Sequence, residues 1–414
     1  MAEYYLPRLG GVEHLIDDLA HTLADRRHEV RILTMTPEST SEQGARVPSV
    51  PASQTENFRV VRIPSFKVPM MGVPISPLLP KRLREDLIEW SPDVVHVHAS
   101  IASAGALAGG WAAHSLGLPL VVTFHSMLGG HEWVYKLSNA LTRWGSWPQV
   151  VAGVSPTVAD GVSKVLGRPT TVLANGVDIG WWSEGRSASA PARNRINLVT
   201  VQRLKNRKRG SVLLEVVAAA QNNIPDGHTF RVTFVGDGPR RSSLERKASR
   251  LGVEARFLGA IPRKDVREVL GNSDVFILPS TRESFGISAL EARAVGLPVV
   301  AFRTGSLPEI VPDGLAGLLV NSDQGMVDAL TQLACDRGLL MRLCEGSMRN
   351  PPPFDWPLVV EEHERIYREA SGCRGCLLTT ELLHPFDHLL FPHRVRRILV
   401  WCCQAFLICS PRQV

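Results

Sequence analysis

The stretch DVFILPSTRESFGISALE, residues 274–291, joins a continuous apolar run to a helical pattern through a short polar loop. Such a run, bounded by turn-forming residues, predicts a strand that is buried on both faces of a sheet. Two glutamates follow it eight residues apart, with Glu283 just before the predicted helix and Glu291 two turns into it. Because an α-helix rises about 1.5 Å per residue, roughly 12 Å separates the two carboxylates along its axis.

The start of this helix suits an anionic ligand, because unpaired backbone amides and the positive end of the helix dipole meet there. The amides expected to point at a diphosphate group belong to four consecutive residues, which are Ser284, Phe285, Gly286 and Ile287. A span of roughly 12 Å is also about the length of a sugar, a diphosphate and a ribose laid end to end. We therefore assign Glu291 to the ribose and Glu283 to the sugar hydroxyls, although two helical glutamates by themselves more often form a solvated face.

The rest of the chain alternates strand and helix signals. The apolar, β-branched runs are HEVRILTM (28–35), FRVVRI (58–63), DVVHVHA (93–99), LPLVVTF (118–124), PQVVAGV (148–154), INLVTV (196–201), FRVTFVG (230–236) and LPVVAF (297–302). Continuous apolar strands linked by helices predict parallel sheets that are covered on both faces. We therefore expect an α/β protein with two doubly wound domains, a boundary near 175–195, and a site at the carboxyl ends of the strands in the cleft between the domains.

Length and composition agree with this interpretation. The chain has 414 residues, 44% hydrophobic and 21% charged, which is typical of a globular protein with two domains. No apolar run reaches the roughly 18–20 residues that a membrane-spanning helix needs, and no signal-peptide pattern opens the chain, so the expected compartment is the cytoplasm. Residues 1–334 contain no cysteine, so we expect no disulfide framework.

Nine motifs run in one order along roughly residues 5–370. They are LPRLGGVE (6–13), VVTFHS (121–126), LANGVD (173–178), RLKNRKRG (203–210), FVGDGP (234–239), RFLGAI (256–261), PSTRESFGISALE (279–291), GLPVVAF (296–302) and GSLPEIV (305–311). This order resembles the retaining family 4 glycosyltransferases. The resemblance implies the GT-B fold, in which two Rossmann-like domains face a cleft. It divides the chain into an acceptor domain (1–178), a nucleotide-sugar donor domain (179–356), a helix returning to the first domain (357–370) and a cysteine-rich tail outside the family pattern (371–414).

The N-terminal loop is the next most specific motif. Gly10 and Gly11 lead into a predicted helix over 11–26, and glycines there let the backbone approach a phosphate closely. The resemblance implies that this loop contacts the donor diphosphate, while a tight turn is the simpler alternative. Glu13 is expected in the first turn of the helix, where a carboxylate interacts favourably with the dipole. No apolar strand precedes the loop, so we expect the first strand to be missing or to be encoded upstream of Met1.

The motif RLKNRKRG carries the predicted cations. Arg203 and Lys208 are expected to neutralise the leaving diphosphate, because charge-assisted hydrogen bonds strengthen as the leaving group gains charge. Arg207 and Arg209 are expected to face solvent. A nucleic-acid or membrane patch is the alternative. The mild net charge of +6 and the lack of a recognised nucleic-acid module favour a phosphate site without nucleic acid as a partner.

His125 ends a predicted strand at its carboxyl edge, and the resemblance implies that it hydrogen-bonds the transferred sugar. His96 and His98 share one face of another strand, but two histidines make a poor metal site. The sequence contains no D-x-D pair, so we expect no catalytic metal and no cofactor besides the nucleotide-sugar co-substrate.

The resemblance implies retaining transfer of a hexose from a UDP- or GDP-sugar to a hydroxyl acceptor. No residue of the motifs is an obvious carboxylate nucleophile, so the implied mechanism is attack on the face from which the diphosphate departs. GGVE together with ESFGISALE is similar to enzymes that glycosylate phosphatidylinositol-type lipids or small polyols, which adds peripheral contact with the inner face of the cell membrane as an expectation. The alternatives are a nucleotide-sugar epimerase or hydrolase of the same fold and an inactive nucleotide-sugar-binding protein.

The segment after Ala370 holds five of the seven cysteines. Cys373 and Cys376 have zinc-like spacing without a matching second pair, so a zinc site is not expected. The apolar run 398–409 is too short to span a bilayer, and it is expected either to lie in a membrane interface or to belong to a frameshifted or read-through tail. On this interpretation, deleting 372–414 changes neither the fold nor donor binding.

Overall fold

The computed structural model describes residues 5–7, 10–37, 58–67, 74–76, 78–99, 104–130, 132–186, 194–372 and 397–403. The chain divides into two compact units. The N-terminal unit comprises Met1–Gly176 and Trp356–Val414, and the C-terminal unit comprises Val177–Asp355.

The N-terminal unit is built on a seven-stranded parallel sheet in the order β2-β1-β15-β5-β6-β7-β8. Its strands, numbered along the whole chain, are β1 (Glu29–Thr34), β2 (Phe58–Arg62), β5 (Val94–Ala99), β6 (Leu120–Phe124), β7 (Val150–Gly153), β8 (Thr171–Val172) and β15 (Arg397–Cys403), and β3 (Phe66–Lys67) and β4 (Pro74–Ile75) form a separate antiparallel pair. Its helices are α1 (Gly11–Asp25), α2 (Leu79–Trp90), α3 (Ala104–Ser115), α4 (Glu132–Thr142), α5 (Pro156–Leu166) and α14 (Trp356–Ala370), with a 3-10 turn at Trp144–Ser146.

The central position of this sheet is held by β15, from the far end of the chain. It pairs in parallel with β1, from Glu29↔Arg397 to Ile32↔Val400, and with β5, from Val94↔Ile398 to Ala99↔Cys403. In a doubly wound sheet this is the position of the first strand. Among the described residues no strand precedes α1, and residues 397–403 of the tail occupy this central position.

The neighbouring strands are apolar because both faces of the sheet are covered. Every residue of β5, β6 and β7 is buried. Helix α5 begins after Ser155, whose hydroxyl accepts the amide of Val158, and it packs against the end of β7. Gly153 permits that contact, since a Cβ there would lie 2.5 Å from the backbone nitrogen of Ala159.

The C-terminal unit has a six-stranded parallel sheet in the order β11-β10-β9-β12-β13-β14. Its strands are β9 (Arg195–Val201), β10 (Thr229–Val235), β11 (Glu254–Gly259), β12 (Val275–Leu278), β13 (Val299–Phe302) and β14 (Gly317–Val320). Its helices are α6 (Ile179–Ser183), α7 (Gly210–Gln221), α8 (Arg241–Leu251), α9 (Arg263–Gly271), α10 (Ile287–Ala294), α11 (Leu307–Ile310), α12 (Asp323–Cys335) and α13 (Arg337–Arg349), with a 3-10 turn at Asn206–Lys208.

In the C-terminal sheet the chain runs outward from β9 to β11 on one side and then from β12 to β14 on the other. The N-terminal sheet has the same two outward runs, from β1 to β2 and from β5 to β8, but the strand between them is β15, from the far end of the chain. In the C-terminal unit the direction reverses between β9 and β12. The loops that leave these two strands therefore start at one edge of the sheet and diverge, which is where ligands bind in such folds. The predicted α/β class, with two doubly wound parallel sheets, is confirmed.

Candidate active site

The helix that carries Glu291 begins later than the sequence indicates. Gly286 precedes α10 with a φ of 98°, and the helix starts at Ile287. Glu291 therefore lies just over one turn into the helix, not two, and Ser284 and Phe285 belong to the preceding loop. Phe285 is buried and packs edge-on against Phe354, with ring centroids 5.4 Å apart. Its side chain anchors the loop, and the approach of these amides to a diphosphate stays a prediction.

Glu283 and Lys208 form an ion pair, with 2.6 Å between the Lys208 Nζ and the Glu283 Oε2. Both side chains are mostly buried: 22% of the Lys208 surface and 15% of the Glu283 surface are exposed. The loop of Glu283 is closely packed, because a Cβ at Gly305, which has a φ of 60°, would lie 1.9 Å from the Glu283 carbonyl oxygen. The two residues belong to the loops that leave β9 and β12, so the strand order brings together one predicted phosphate ligand and the predicted sugar ligand.

The basic residues of the loop after β9 (203–210) have different roles in the structure. Arg203 is half-buried two residues after the end of β9, and Arg207 is exposed as expected. Arg209 does not face solvent, which corrects the prediction. Its guanidinium donates to the Pro279 carbonyl at 3.1 Å and to the Asp323 carboxylate at 2.6 and 2.8 Å. Arg209 therefore fastens this loop to the segment after β12 and to α12.

Glu291 faces a cation that sequence reasoning missed. The Arg263 Nε lies 3.9 Å from the Glu291 Oε1, and the guanidinium lies over the rings of Trp181 and Trp182 at 5.5 and 5.3 Å. Arg263 is the first residue of α9, just after the motif RFLGAI. Its position just after this motif was the available signal, but the contact itself joins α9 to α10 and is a tertiary one.

The N-terminal unit holds the other predicted residues. Gly10 is extended, with a φ of −178°, and its carbonyl accepts the amide of His14, while Gly11 is the first residue of α1. Glu13 lies in the first turn of α1, as expected, and is fully buried. The extended Gly10 could be any residue on backbone grounds, so the role of this loop in phosphate binding stays a prediction.

His125 follows β6 directly and lies in a buried polar cluster. The His125 Nε2 lies 2.8 Å from the His98 Nδ1. His96, on the same strand as His98, lies 2.8 Å from both the Tyr367 hydroxyl and the Thr123 hydroxyl. Burial lowers the pKa of His125 to about 3 and the pKa values of His96 and His98 well below their ordinary value, so all three rings are neutral at neutral pH.

Within the described ranges, no group of three or more His, Cys, Asp or Glu side chains is placed to hold a metal ion. In the same part of the chain, no helix is long and apolar enough to cross a membrane. Cys373 and Cys376 lie outside the described residues. Residues 398–403, which belong to the run predicted as an interfacial segment or as part of a frameshifted or read-through tail, form most of β15.

Two family models match the chain in succession. The model described as Glycosyltransferase Family 4 matches residues 9–181, and the model described as Glycosyl transferases group 1 matches residues 184–347. Together they span both units.

Curated relatives and solved structures agree with these models. The D-inositol 3-phosphate glycosyltransferase of Saccharomonospora viridis is 31% identical over 322 residues, which cover 69% of this chain and 72% of the relative. The phosphatidyl-myo-inositol mannosyltransferase of Mycobacterium leprae is 25% identical over 366 residues, which cover 87% of this chain and 94% of the relative. HepE of Anabaena, solved in complex with UDP-glucose, superposes with a TM-score of 0.68 at 20% identity, over 88% of this chain and 97% of that one, a likeness of fold.

Proposed function

Because the chain belongs to the family 4 glycosyltransferases of the group 1 type, and is a glycosyltransferase of GT-B fold, we propose that it transfers a hexose from a UDP- or GDP-sugar to a hydroxyl acceptor with retention of configuration. The observation that carries this proposal is the ion pair between Lys208 and Glu283, which joins the loop after β9 to the loop before α10. It supports a site in which a phosphate-binding cation also orients the carboxylate that holds the sugar.

The donor subsite is proposed in the C-terminal unit. Lys208 and Arg203 bind the diphosphate, Glu283 accepts hydrogen bonds from sugar hydroxyls, and Glu291 accepts them from the ribose. The amides from Ser284 to Ile287 add the positive end of α10. Charge on the diphosphate grows as its bond to the sugar breaks, so cations held in advance stabilise the transition state more than the bound donor.

The proposed reaction breaks the bond between the anomeric carbon and the phosphate oxygen and forms a bond from the same carbon to the acceptor oxygen on the same face. The acceptor hydroxyl gives its proton to the departing phosphate oxygen, so no carboxylate nucleophile is required. His125 is proposed to hold the sugar, and the loop of Gly10 and Gly11 is proposed to contact the diphosphate. Catalysis is then positioning and electrostatic stabilisation.

The acceptor is proposed to be a phosphatidylinositol-type lipid or a small polyol. The names of two relatives support this class, since one is a D-inositol 3-phosphate glycosyltransferase and the other a phosphatidyl-myo-inositol mannosyltransferase. The proposed location is the cytoplasm, with peripheral contact at the inner face of the cell membrane for a lipid acceptor.

A donor panel tests the proposal. The full chain is incubated with UDP- and GDP-hexoses, with and without inositol, inositol phosphate or phosphatidylinositol vesicles, and the products are read by mass spectrometry. We expect one donor to be consumed only when an acceptor is present, with the anomeric configuration retained in the product. Donor consumption without any acceptor would instead support an epimerase or hydrolase, and nucleotide binding without turnover would support an inactive binding protein.

Replacing Glu291 with alanine is expected to weaken donor binding about tenfold to a hundredfold, because a charged hydrogen bond is worth about 1.5–3 kcal/mol. The carboxylate is 14% exposed, so water replaces the lost acceptor poorly. Calorimetric titration with the nucleoside diphosphate measures the change. Glu268→Ala, which removes an exposed carboxylate on α9, is the matched control and should bind as the wild type does. Unchanged binding by Glu291→Ala would remove Glu291 from the ribose site.

Activity is expected to survive chelation by EDTA, because Lys208, Arg203 and the start of α10 supply the positive charge that a metal provides in other transferases. The measurement is the initial rate of donor turnover before and after chelation and dialysis. A rate that falls with EDTA and returns with magnesium or manganese would contradict this part of the proposal.

A further inference from the structure

The buried histidines of the N-terminal unit share one face of its sheet because of strand register. His98 pairs with Thr123 across β5 and β6, and residues two apart on a strand point to the same side. His96 and His125 therefore join them on that face. Helix α14 contributes His363 and Tyr367 to the same region, with the His96 and Tyr367 rings 5.5 Å apart. The outcome is a polar layer inside an otherwise apolar core.

Within this layer, a hydrogen bond links the proton positions on the rings of His98 and His125. Their 2.8 Å contact joins the Nδ1 of His98 to the Nε2 of His125, and the two residues are only 1% and 7% exposed. Burial keeps both rings uncharged, so each ring carries one proton and one bare nitrogen. One ring must therefore donate and the other accept, and the proton position on His98 determines the proton position on His125.

We propose that His98 is a positioning residue for the transfer reaction, fixing the orientation and the tautomer of His125 so that its Nδ1 offers a single hydrogen-bonding role. This inference rests on the proposed function, in which His125 lies beside the transferred sugar. Sugar hydroxyls both donate and accept, and a ring with one fixed tautomer binds one orientation of a hydroxyl. A ring that exchanges between tautomers does not select an orientation.

The outer nitrogens of the pair support this role. Among the described residues, neither the Nε2 of His98 nor the Nδ1 of His125 has a hydrogen-bond partner, although both atoms are buried. Both rings line a small cavity of about 10 Å³, together with Thr123, Asn175 and His363. That volume is at the lower limit for one water molecule. Buried nitrogens without partners cost free energy, and functional sites are where such costs are commonly retained.

His96 offers a matched comparison on the same strand. It is fully buried on the same face, but both of its ring nitrogens have partners, Tyr367 and Thr123, and it makes no hydrogen bond to His125. Replacing His96 with leucine removes a buried histidine and its hydrogen bonds while leaving the contact between His98 and His125. Loss of stability alone should therefore appear in both His96→Leu and His98→Leu, and loss of positioning only in His98→Leu.

The test uses the full chain with ¹⁵N-labelled histidine in four forms: wild type, His98→Leu, His98→Asn and His96→Leu. The side-chain amide of asparagine occupies nearly the position of a histidine Nδ1, so His98→Asn can restore the contact. Ring ¹⁵N shifts report which nitrogen of His125 is protonated, with His125→Asn providing the assignment. Donor turnover is measured in parallel and divided by the folded fraction from thermal unfolding.

In the wild type we expect separate signals for a protonated and a bare nitrogen of His125. His98→Leu should move them toward the averaged value of exchanging tautomers and lower kcat about 10–100-fold, as losses of partners that orient functional histidines do, with a smaller change in KM. His98→Asn should restore both properties, and His96→Leu should keep both. Averaged signals in the wild type, unchanged signals in His98→Leu, or equal kcat losses in the two leucine variants would overturn the inference. If the wild type transfers no hexose, the proposed function fails, and the ¹⁵N shifts alone still decide whether His98 fixes the tautomer.

Discussion

A chain that ends at residue 396 is expected to lose the fold of its N-terminal unit, because the deletion removes β15 from the middle of a seven-stranded sheet. Strands β1 and β5 would each lose a ladder of backbone hydrogen bonds in a buried setting. Each unsatisfied buried group costs about 1–3 kcal/mol, and several of them exceed the roughly 5–15 kcal/mol by which a typical domain is stable. The residues of β5 are all buried, so water cannot replace the lost partners without opening the core.

The control for this deletion is a chain that ends at residue 403 and keeps the whole of β15. Amide hydrogen exchange, read peptide by peptide, should show lost protection in β1 and β5 for the shorter chain and wild-type protection for the longer one. Strands β9 and β12 of the C-terminal unit should stay protected in both. Wild-type protection of β5 in the chain ending at 396 would show that β15 is not needed for the sheet.

The role of the tail could not be predicted from sequence because strand pairing is a tertiary property. The run 398–409 is apolar and follows three arginines within four residues, a pattern that suits an interfacial segment as well as a strand. Nothing local indicates that its partners are Glu29–Ile32, 368 residues earlier in the chain, and Val94–Ala99, 304 residues earlier.

Local signals did predict nine of the other twelve strands of the two sheets, and the three that they missed are the edge strands β8, β11 and β14. The run DVVHVHA contains β5 and the run DVFILPS contains β12. Both were predictable because a strand that is covered on both faces of a sheet consists mainly of consecutive apolar residues. The start of α10 was less predictable. Residues 284–286 fit a helical pattern, but Gly286 adopts a positive φ and Phe285 turns into the core against Phe354, which delays the helix to Ile287.

In the candidate site, local motifs predicted individual residues, but the contacts between these residues depend on the tertiary fold. The motifs indicated Lys208 and Glu283 separately, and the reversal of strand order between β9 and β12 brings them within 2.6 Å. Arg209 sits one residue after Lys208 with the same charge, yet it binds Asp323, far along the chain on α12. Charge alone could not separate the site cation from the anchoring cation.

Replacing Lys208 with methionine is expected to lower kcat about 100–1,000-fold, the cost typical of removing one electrostatic group that stabilises developing charge in a transition state. Two effects add here. The leaving diphosphate loses a cation, and Glu283, 15% exposed, keeps a carboxylate without its 2.6 Å partner and no longer holds its orientation. The affinity for the free nucleoside should change little, because neither effect concerns the base or the ribose.

Arg207→Met is the matched control, since it removes the same charge one residue away from an exposed side chain and should keep the wild-type kcat. Glu283→Gln should also lower kcat, and the double variant Lys208→Met with Glu283→Gln should lose much less than the product of the two single losses, because paired residues act as a unit. Multiplicative losses would mean that the two side chains contribute independently and that the ion pair does not orient Glu283. A wild-type kcat in Lys208→Met would remove Lys208 from the leaving-group site, leaving Arg203 and the amides at the start of α10 to bind the diphosphate.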